Sequence, residues 1–350
     1  MTRLEFAQRN GVGPLFERAS TQILALVQKI EEAGDGYGRF TKQMWLAGNS
    51  AVSSFVARLP VETLALAPYV PASMESQSVS LNGMNLTTQP LLNSFVGGDL
   101  FSGLFFLWHE GRVGRIPWIL MDVGTNSEIL FWDTEKLFVS STPAGPAFEG
   151  SSISIGMRAE NGSIIHPRWR EGGWHFSVIG EDLPKGICGS ALIEMVDEGV
   201  RGKLICDDGE VLRTSELKLS GDLQLTQDDV REFQLAKSAI QTGLELVIEQ
   251  SPRKPEILFL AGSFGENLDL PACQRLGLLP LMRTETLGNS SLRGTILWGQ
   301  AEPDERSRFQ TWLNKVKQPV ELATSDGFQS AFVRNMTLSA ERQRPVEDNV

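Results

Sequence analysis

Cysteine is scarce in this chain. Its 350 residues hold three, Cys188, Cys206 and Cys273, without the close pairing of a zinc site or the C-x4-C-x2-C spacing of a ferredoxin cluster. A sparse, odd count fits a reducing compartment better than a disulfide scaffold, so a cytoplasmic location is expected. Basic charge is also short. Lys plus Arg total 32 against 43 Asp plus Glu, a formal net charge of −11, and no dense Lys/Arg run occurs to meet nucleic-acid phosphates. The start, M-T-R-L-E-F-A-Q-R-N, has no apolar core of signal-peptide type. No 18-residue apolar span follows, so no membrane partner is expected. The three histidines, His109, His166 and His175, are scattered without ligand spacing. The patterns G-x-x-x-x-G-K-[ST], G-x-G-x-x-G and G-x-S-x-G are all missing, which excludes P-loop, Rossmann and nucleophile-elbow chemistry.

What is present suffices for a sizeable core. At 350 residues and 41% hydrophobic, the chain suggests two compact domains or one two-lobed fold. Phe16, Ala19, Ile23, Val27 and Ile30 recur at helical spacing over residues 14–33, and Gly34, Gly36 and Gly38 end the run. A short buried strand, Met44 to Ala47, leads through Gly48-Asn49 into a helix from Ser50 to Arg58. Scattered Pro, Ser, Asn and Thr over residues 60–93 suggest loops with little regular structure. Leu100 to Trp108 reads as a buried helix.

The pattern changes at Pro117. Trp118 to Asp122, Glu128 to Trp132 and Leu137 to Ser141 are short apolar strands joined by tight turns, which predicts an antiparallel meander. Thr226-Gln-Asp-Asp229 resembles a capping box opening a helix that runs to about Glu249. Glu256 to Ala261 is another buried strand, and residues 301–316 look like an exposed, charged helix. Arg344 to Val350 reads as a frayed tail.

Four segments carry candidate chemistry. In Asp122-Val-Gly124-Thr125-Asn126-Ser-Glu128, a carboxylate at a strand end precedes a glycine hairpin. Such a turn presents backbone N–H groups and a Thr hydroxyl to a phosphate, while Asp122 holds Mg2+ through water. The plain alternative is an ordinary hairpin whose Asp caps its own turn. In Leu260-Ala-Gly262-Ser263-Phe-Gly265, a strand breaks into glycines, where a flat ring such as adenosine can lie on bare backbone; packing alone also explains such glycines. Glu149 sits just past a strand end in Ser140-Ser-Thr-Pro-Ala-Gly-Pro-Ala-Phe-Glu-Gly150. It either orients water or metal or is a solvated loop acid. Gly189 and Ser190, in Lys185-Gly-Ile-Cys-Gly-Ser190, place helix N–H groups where an anion could sit. Cys188 beside them reads as a small buried apolar residue, since no His lies nearby in sequence.

Taken in order, D-V-G-T-N-S-E, S-T-P-A-G-P-A-F-E-G, G-I-C-G-S, L-T-Q-D-D-V-R-E-F-Q-L-A-K-S-A-I and L-A-G-S-F-G resemble the reductive activators of corrinoid proteins. The upstream A-G-N-S-A-V at 47–52 and F-V-G-G-D at 95–99, with G-L-L-P at 277–280 and L-G-N-S-S-L-R-G at 287–294, look similar too. The resemblance covers nearly the whole chain. It implies an α/β, two-lobed actin-like ATPase of ribonuclease H-like fold. Residues 1–115 would form the first lobe and 116–300 the second, with 301–350 a C-terminal helix, strand and tail. Asp122, Gly124, Thr125 and Asn126 would form the second phosphate loop and Gly262 and Gly265 would lie by the adenosine. Glu149 would line the cleft, and ATP and Mg2+ would bind there.

In that family, ATP binding and hydrolysis drive uphill electron transfer from a [2Fe–2S] domain to a Co(II) corrinoid. Neither the four-cysteine ferredoxin-like domain nor the first D-x-G-T-T loop is found in these residues, so the first lobe is expected to be truncated and no iron–sulfur cluster is encoded. Expected partners are a corrinoid protein or another low-potential redox partner, a separate electron donor and a second copy in a homodimer. The alternative is a degenerate nucleotide-binding or protein-interaction module without turnover. A third reading, similarity to the activators of radical dehydratases, would make Cys188 and Cys206 cluster ligands.

Overall fold

Trp118, Ile119, Leu120 and Met121 are each at most 1% exposed in the computed structural model, as a strand apolar on both faces must be inside a doubly covered sheet. The structure describes residues 3–33, 43–67, 69–180, 182–212, 216–322, 325 and 327–339. It divides into two units, Met1–Arg115 with Asn289–Pro319 and Ile116–Gly288 with Val320–Val350.

The second unit is built on that strand. Trp118–Asp122 pairs antiparallel with Asn126–Trp132, which pairs antiparallel with Leu137–Pro143, giving the expected meander. On its other side Trp118–Asp122 pairs parallel with Ile257–Ala261, and Arg283–Gly288 continues the sheet in parallel. Parallel neighbours need crossover connections. Helices Gly189–Arg201 and Gln227–Ile248 lie in the first, and the short helices Gly262–Glu266 and Leu270–Arg275 in the second. The capping box is present: Thr226 Oγ1 accepts from Asp229 N at 3.2 Å, and Thr226 N donates to Asp229 Oδ2 at 2.8 Å. Its helix lies over the meander, where Thr142 Oγ1 donates to the Ala239 carbonyl at 3.1 Å. Two hairpins have no counterpart in the sequence expectation, Ser163–Arg170 with Gly173–Val178 and Glu216–Ser220 with Leu223–Thr226.

The first unit contains helix Gly13–Glu32, helix Ser50–Val56 and a three-stranded sheet. Gln43–Leu46 pairs parallel with Met84–Thr88, which pairs antiparallel with Ser78–Leu81. These strands correct the expectation that residues 60–93 are loops. Asn82 and Gly83 both have positive φ, 49° and 79°, as a two-residue hairpin turn requires. Leu81 and Leu86 then share a small core with Phe16 and Val56. The glycines expected to end the long helix, Gly34, Gly36 and Gly38, lie outside the described residues, as does the tail 344–350.

Helix Gly98–His109 is crossed by helix Ser290–Gln300 at Gly294, where a Cβ would lie 1.8 Å from the Ser102 carbonyl oxygen. Helix Pro303–Val316 follows. Expected to be exposed, it instead buries Phe309, Leu313 and Val316. The Phe309 ring centroid lies 5.0 Å from Phe105 and 5.4 Å from Phe101 and Trp108. This aromatic packing ties residues 289–319 to the first unit, so the segments 116–300 and 301–350 are each shared between the units. No described helix is long and apolar enough to cross a membrane.

Candidate functional site

The register of two parallel strands sets the geometry. Asp122 stands opposite Ala261, so the turn that follows Asp122 and the glycine break that follows Ala261 leave the sheet at the same end. Gly262 has φ +80°, and a Cβ on it would lie 2.6 Å from Asp122 Oδ1. The half-buried carboxylate therefore lies directly against bare backbone. Ser263 is exposed on the following helical turn, and Gly265 is buried against Leu260, whose Cβ would be 3.2 Å from a Cβ at position 265.

Gly124, Thr125 and Asn126 form the hairpin turn, with Thr125 and Asn126 exposed. The Thr125 carbonyl accepts from the N–H groups of Ala144 and Gly145, each at 3.0 Å, which fixes the turn against the end of the next strand. Glu149 ends a single 3-10 turn, Ala147–Glu149. Its Oε1 accepts from Thr125 N at 3.1 Å and from Thr125 Oγ1 at 2.7 Å. Glu149 is exposed, as a solvated loop acid would be, and it also makes this specific contact with the turn.

Gly189 and Ser190 open helix Gly189–Arg201, for which Cys188 is an N-cap without a side-chain hydrogen bond. A Cβ at Gly189 would lie 2.0 Å from the Phe148 carbonyl oxygen, so this helix start abuts the Glu149 turn and only glycine fits there. Ser190 is half-buried, its Oγ 3.4 Å from Cys188 Sγ. Cys188 is 3% exposed, in keeping with the small-apolar reading.

Asp122, Gly124, Thr125, Asn126, Glu149, Gly189, Ser190, Gly262, Ser263 and Gly265 all fall within the second unit. Sequence reasoning missed what joins them. The Phe148 ring lies 5.7 Å from Phe233 and 5.7 Å from Phe264, centroid to centroid. One buried aromatic therefore links the Glu149 turn to the glycine break. Its only signal in sequence was its place beside Glu149.

A three-stranded meander continued by two parallel strands is the ribonuclease H-like order, and the chain is an α/β protein of the actin-like, ASKHA class. Residues 117–349 match the family model described as the C-terminal domain of RACo, the ASKHA domain, and residues 1–108 match the RACo middle region. The chain belongs to this family, the reductive activators of corrinoid proteins.

It is 27% identical, over an alignment 383 positions long, to the corrinoid activation enzyme RamQ of Eubacterium limosum, covering 96% of this chain and 63% of that protein. It is 26% identical over 297 residues to the [Co(II) methylated amine-specific corrinoid protein] reductase of Methanosarcina barkeri, covering 75% of this chain and 53% of that one. A solved reductive activator for corrinoid, iron-sulfur protein superposes with a TM-score of 0.79 at 25% identity, covering 96% of this chain and 59% of the other. The chain thus spans between about half and two-thirds of the length of these relatives.

Proposed function

We propose that this chain is the ATPase core of an ATP-dependent reductive activator of a corrinoid protein. The observation that carries the reading is the register of Asp122 against Ala261, which sets a carboxylate-glycine turn beside a glycine break. The residues fit a nucleotide with Mg2+. Asp122 faces a backbone that has no Cβ to obstruct it, and carboxylates with retained waters are the usual protein ligands of Mg2+. Gly124, Thr125 and Asn126 would contact phosphate oxygens, while Gly189 and Ser190 bring helix N–H groups to the same anion. Gly262, Ser263 and Gly265 would underlie the adenosine.

ATP supplies the free energy of its phosphoanhydride bond. The chain's residues bind and orient it, and differential affinity of two conformations for the nucleotide would expose or stabilise a state of the partner. The names of the relatives, a corrinoid activation enzyme and a corrinoid protein reductase, support a corrinoid protein as that partner. A separate electron donor, a homodimer and a cytoplasmic location belong to the same proposal.

One observation favours a second reading, a nucleotide-binding or protein-interaction module without turnover: the donors of Thr125 are already engaged by Glu149. Calorimetry with ATP and Mg2+ beside a phosphate-release assay separates the two, since binding without release supports the second. In the first reading, Asp122→Ala lowers phosphate release by about 100-fold or more, the scale of one preorganised electrostatic contact, and weakens ATP–Mg2+ binding. Unchanged turnover and affinity would remove the phosphate-turn assignment.

A further inference from the structure

Glu149 Oε1 receives two hydrogen bonds from one residue, the backbone N–H and the hydroxyl of Thr125. An anionic oxygen held by an amide and a hydroxyl at the tip of a glycine turn is also how a phosphate oxygen is held. The backbone under Glu149 is fixed on both sides. Phe148 is 5% exposed and packs on Phe233 and Phe264, while its carbonyl leaves no room for a side chain at Gly189. Gly150 has φ +79°, and a Cβ there would lie 2.6 Å from Met157 N. The Glu149 and Thr125 residues are themselves exposed. The carboxylate can therefore leave the turn by rotating about its own bonds, at the cost of a rotamer change and without moving the main chain.

We propose that Glu149 is an internal stand-in for phosphate, seated on the Thr125 turn until a phosphate group of the nucleotide displaces it. This rests on the nucleotide reading above and adds to it a competitor built into the chain. Apparent affinity for any phosphate ligand is then lowered by the fraction of molecules whose turn is already filled. Once displaced, the carboxylate stays tethered beside Gly124, placed to orient water. Glu149 is in this sense a positioning residue whose position depends on the ligand.

The test compares the wild-type chain with Glu149→Gln and Glu149→Asp, using calorimetry with pyrophosphate and with ATP–Mg2+. Gln keeps the length but offers a neutral acceptor. Asp keeps the charge but is shorter by one carbon–carbon bond, about 1.5 Å, and the fixed backbone holds it off Thr125. Both variants should bind pyrophosphate and ATP–Mg2+ about three- to tenfold more tightly, the difference between a charge-assisted hydrogen bond and a weaker or lost one. The Thr125 amide, followed by hydrogen exchange, should lose protection in Glu149→Asp and regain it at saturating pyrophosphate. Tighter binding in Gln alone indicates simple charge repulsion and overturns the proposal, as does unchanged affinity in both variants. Those two results leave the nucleotide reading standing. Absence of binding in all three proteins overturns both.

Discussion

Lys237 is wholly buried in helix Gln227–Ile248, where its Nζ donates to the carbonyls of Asn335 at 2.6 Å and Thr337 at 2.5 Å. Burial lowers its pKa from 10.5 to about 7, with the Glu245 charge opposing the shift. The unfolded chain keeps the ordinary value and so binds more protons between pH 7 and 10.5. Stability from this group must rise with pH across that window, by up to about 1.4 kcal/mol per pH unit. Below it, the lysine is protonated in both states and the slope vanishes. Thermal melts from pH 6 to 9 should show this rise, and Lys237→Met should reduce it. An identical slope in the variant would exclude Lys237 as its source.

Among single residues, legibility followed locality. The turns at Asp122–Asn126 and Gly262–Gly265 were readable as turns because each carries its glycines within a few residues, and the sheet sets them side by side. The Thr125–Glu149 contact spans 24 positions. The Phe148–Phe264 contact spans more than a hundred. No local pattern encodes such pairings; only the assembled fold creates them.

Elements show the same division at larger scale. The capping box was legible because Thr226 and Asp229 sit three residues apart and bond each other. Thr226→Ala removes an acceptor for the Asp229 amide and should cost about 1 kcal/mol, seen as a lowered denaturant midpoint. Thr226→Ser, which retains the hydroxyl, should stay close to the wild type. A midpoint unchanged in Thr226→Ala would mean that the cap contributes nothing to the folded state.

The hairpin Ser78–Leu81 with Met84–Thr88 was also written in the chain, as Asn82-Gly83 between alternating polar and apolar residues. That signal was outweighed by the many Pro, Ser and Asn residues around it. Helix Pro303–Val316 is charged on most of its surface and buries a narrow stripe, Phe309, Leu313 and Val316. Its apolar positions recur at the right interval but are too few to announce burial. What covers Phe309 is Phe101, Phe105 and Trp108 of helix Gly98–His109, about two hundred residues earlier, and Trp298 of the helix just before it.

For the molecule as a whole, the scarcity of cysteine becomes a question of access. Cys188 is 3% exposed and Cys273 fully buried, and burial raises the Cys273 thiol well above its ordinary pKa. Cys206 is partly exposed, and its pKa is raised by burial and by the charges of Asp208, Glu210 and Asp207. Since the thiolate is the reactive species, native protein should titrate slowly and through Cys206 alone, faster as pH rises, with all three thiols reacting in denaturant. Rapid reaction of more than one thiol under native conditions would contradict this packing.

The return of residues 289–319 to the first unit has a consequence for biosynthesis. Trp298 and Phe309 cover Phe101 and Phe105, yet roughly 190 residues separate Trp108 from Trp298. At about 5–20 residues per second, a ribosome needs some ten to forty seconds to supply them. During that interval the helix Gly98–His109 has left the exit tunnel with its aromatic side uncovered, while the sheet that starts at Trp118 is assembled downstream. Newly made chains should therefore need a chaperone's shelter at this segment. Translation arrested before residue 290 should yield an aggregating product rather than a smaller soluble one.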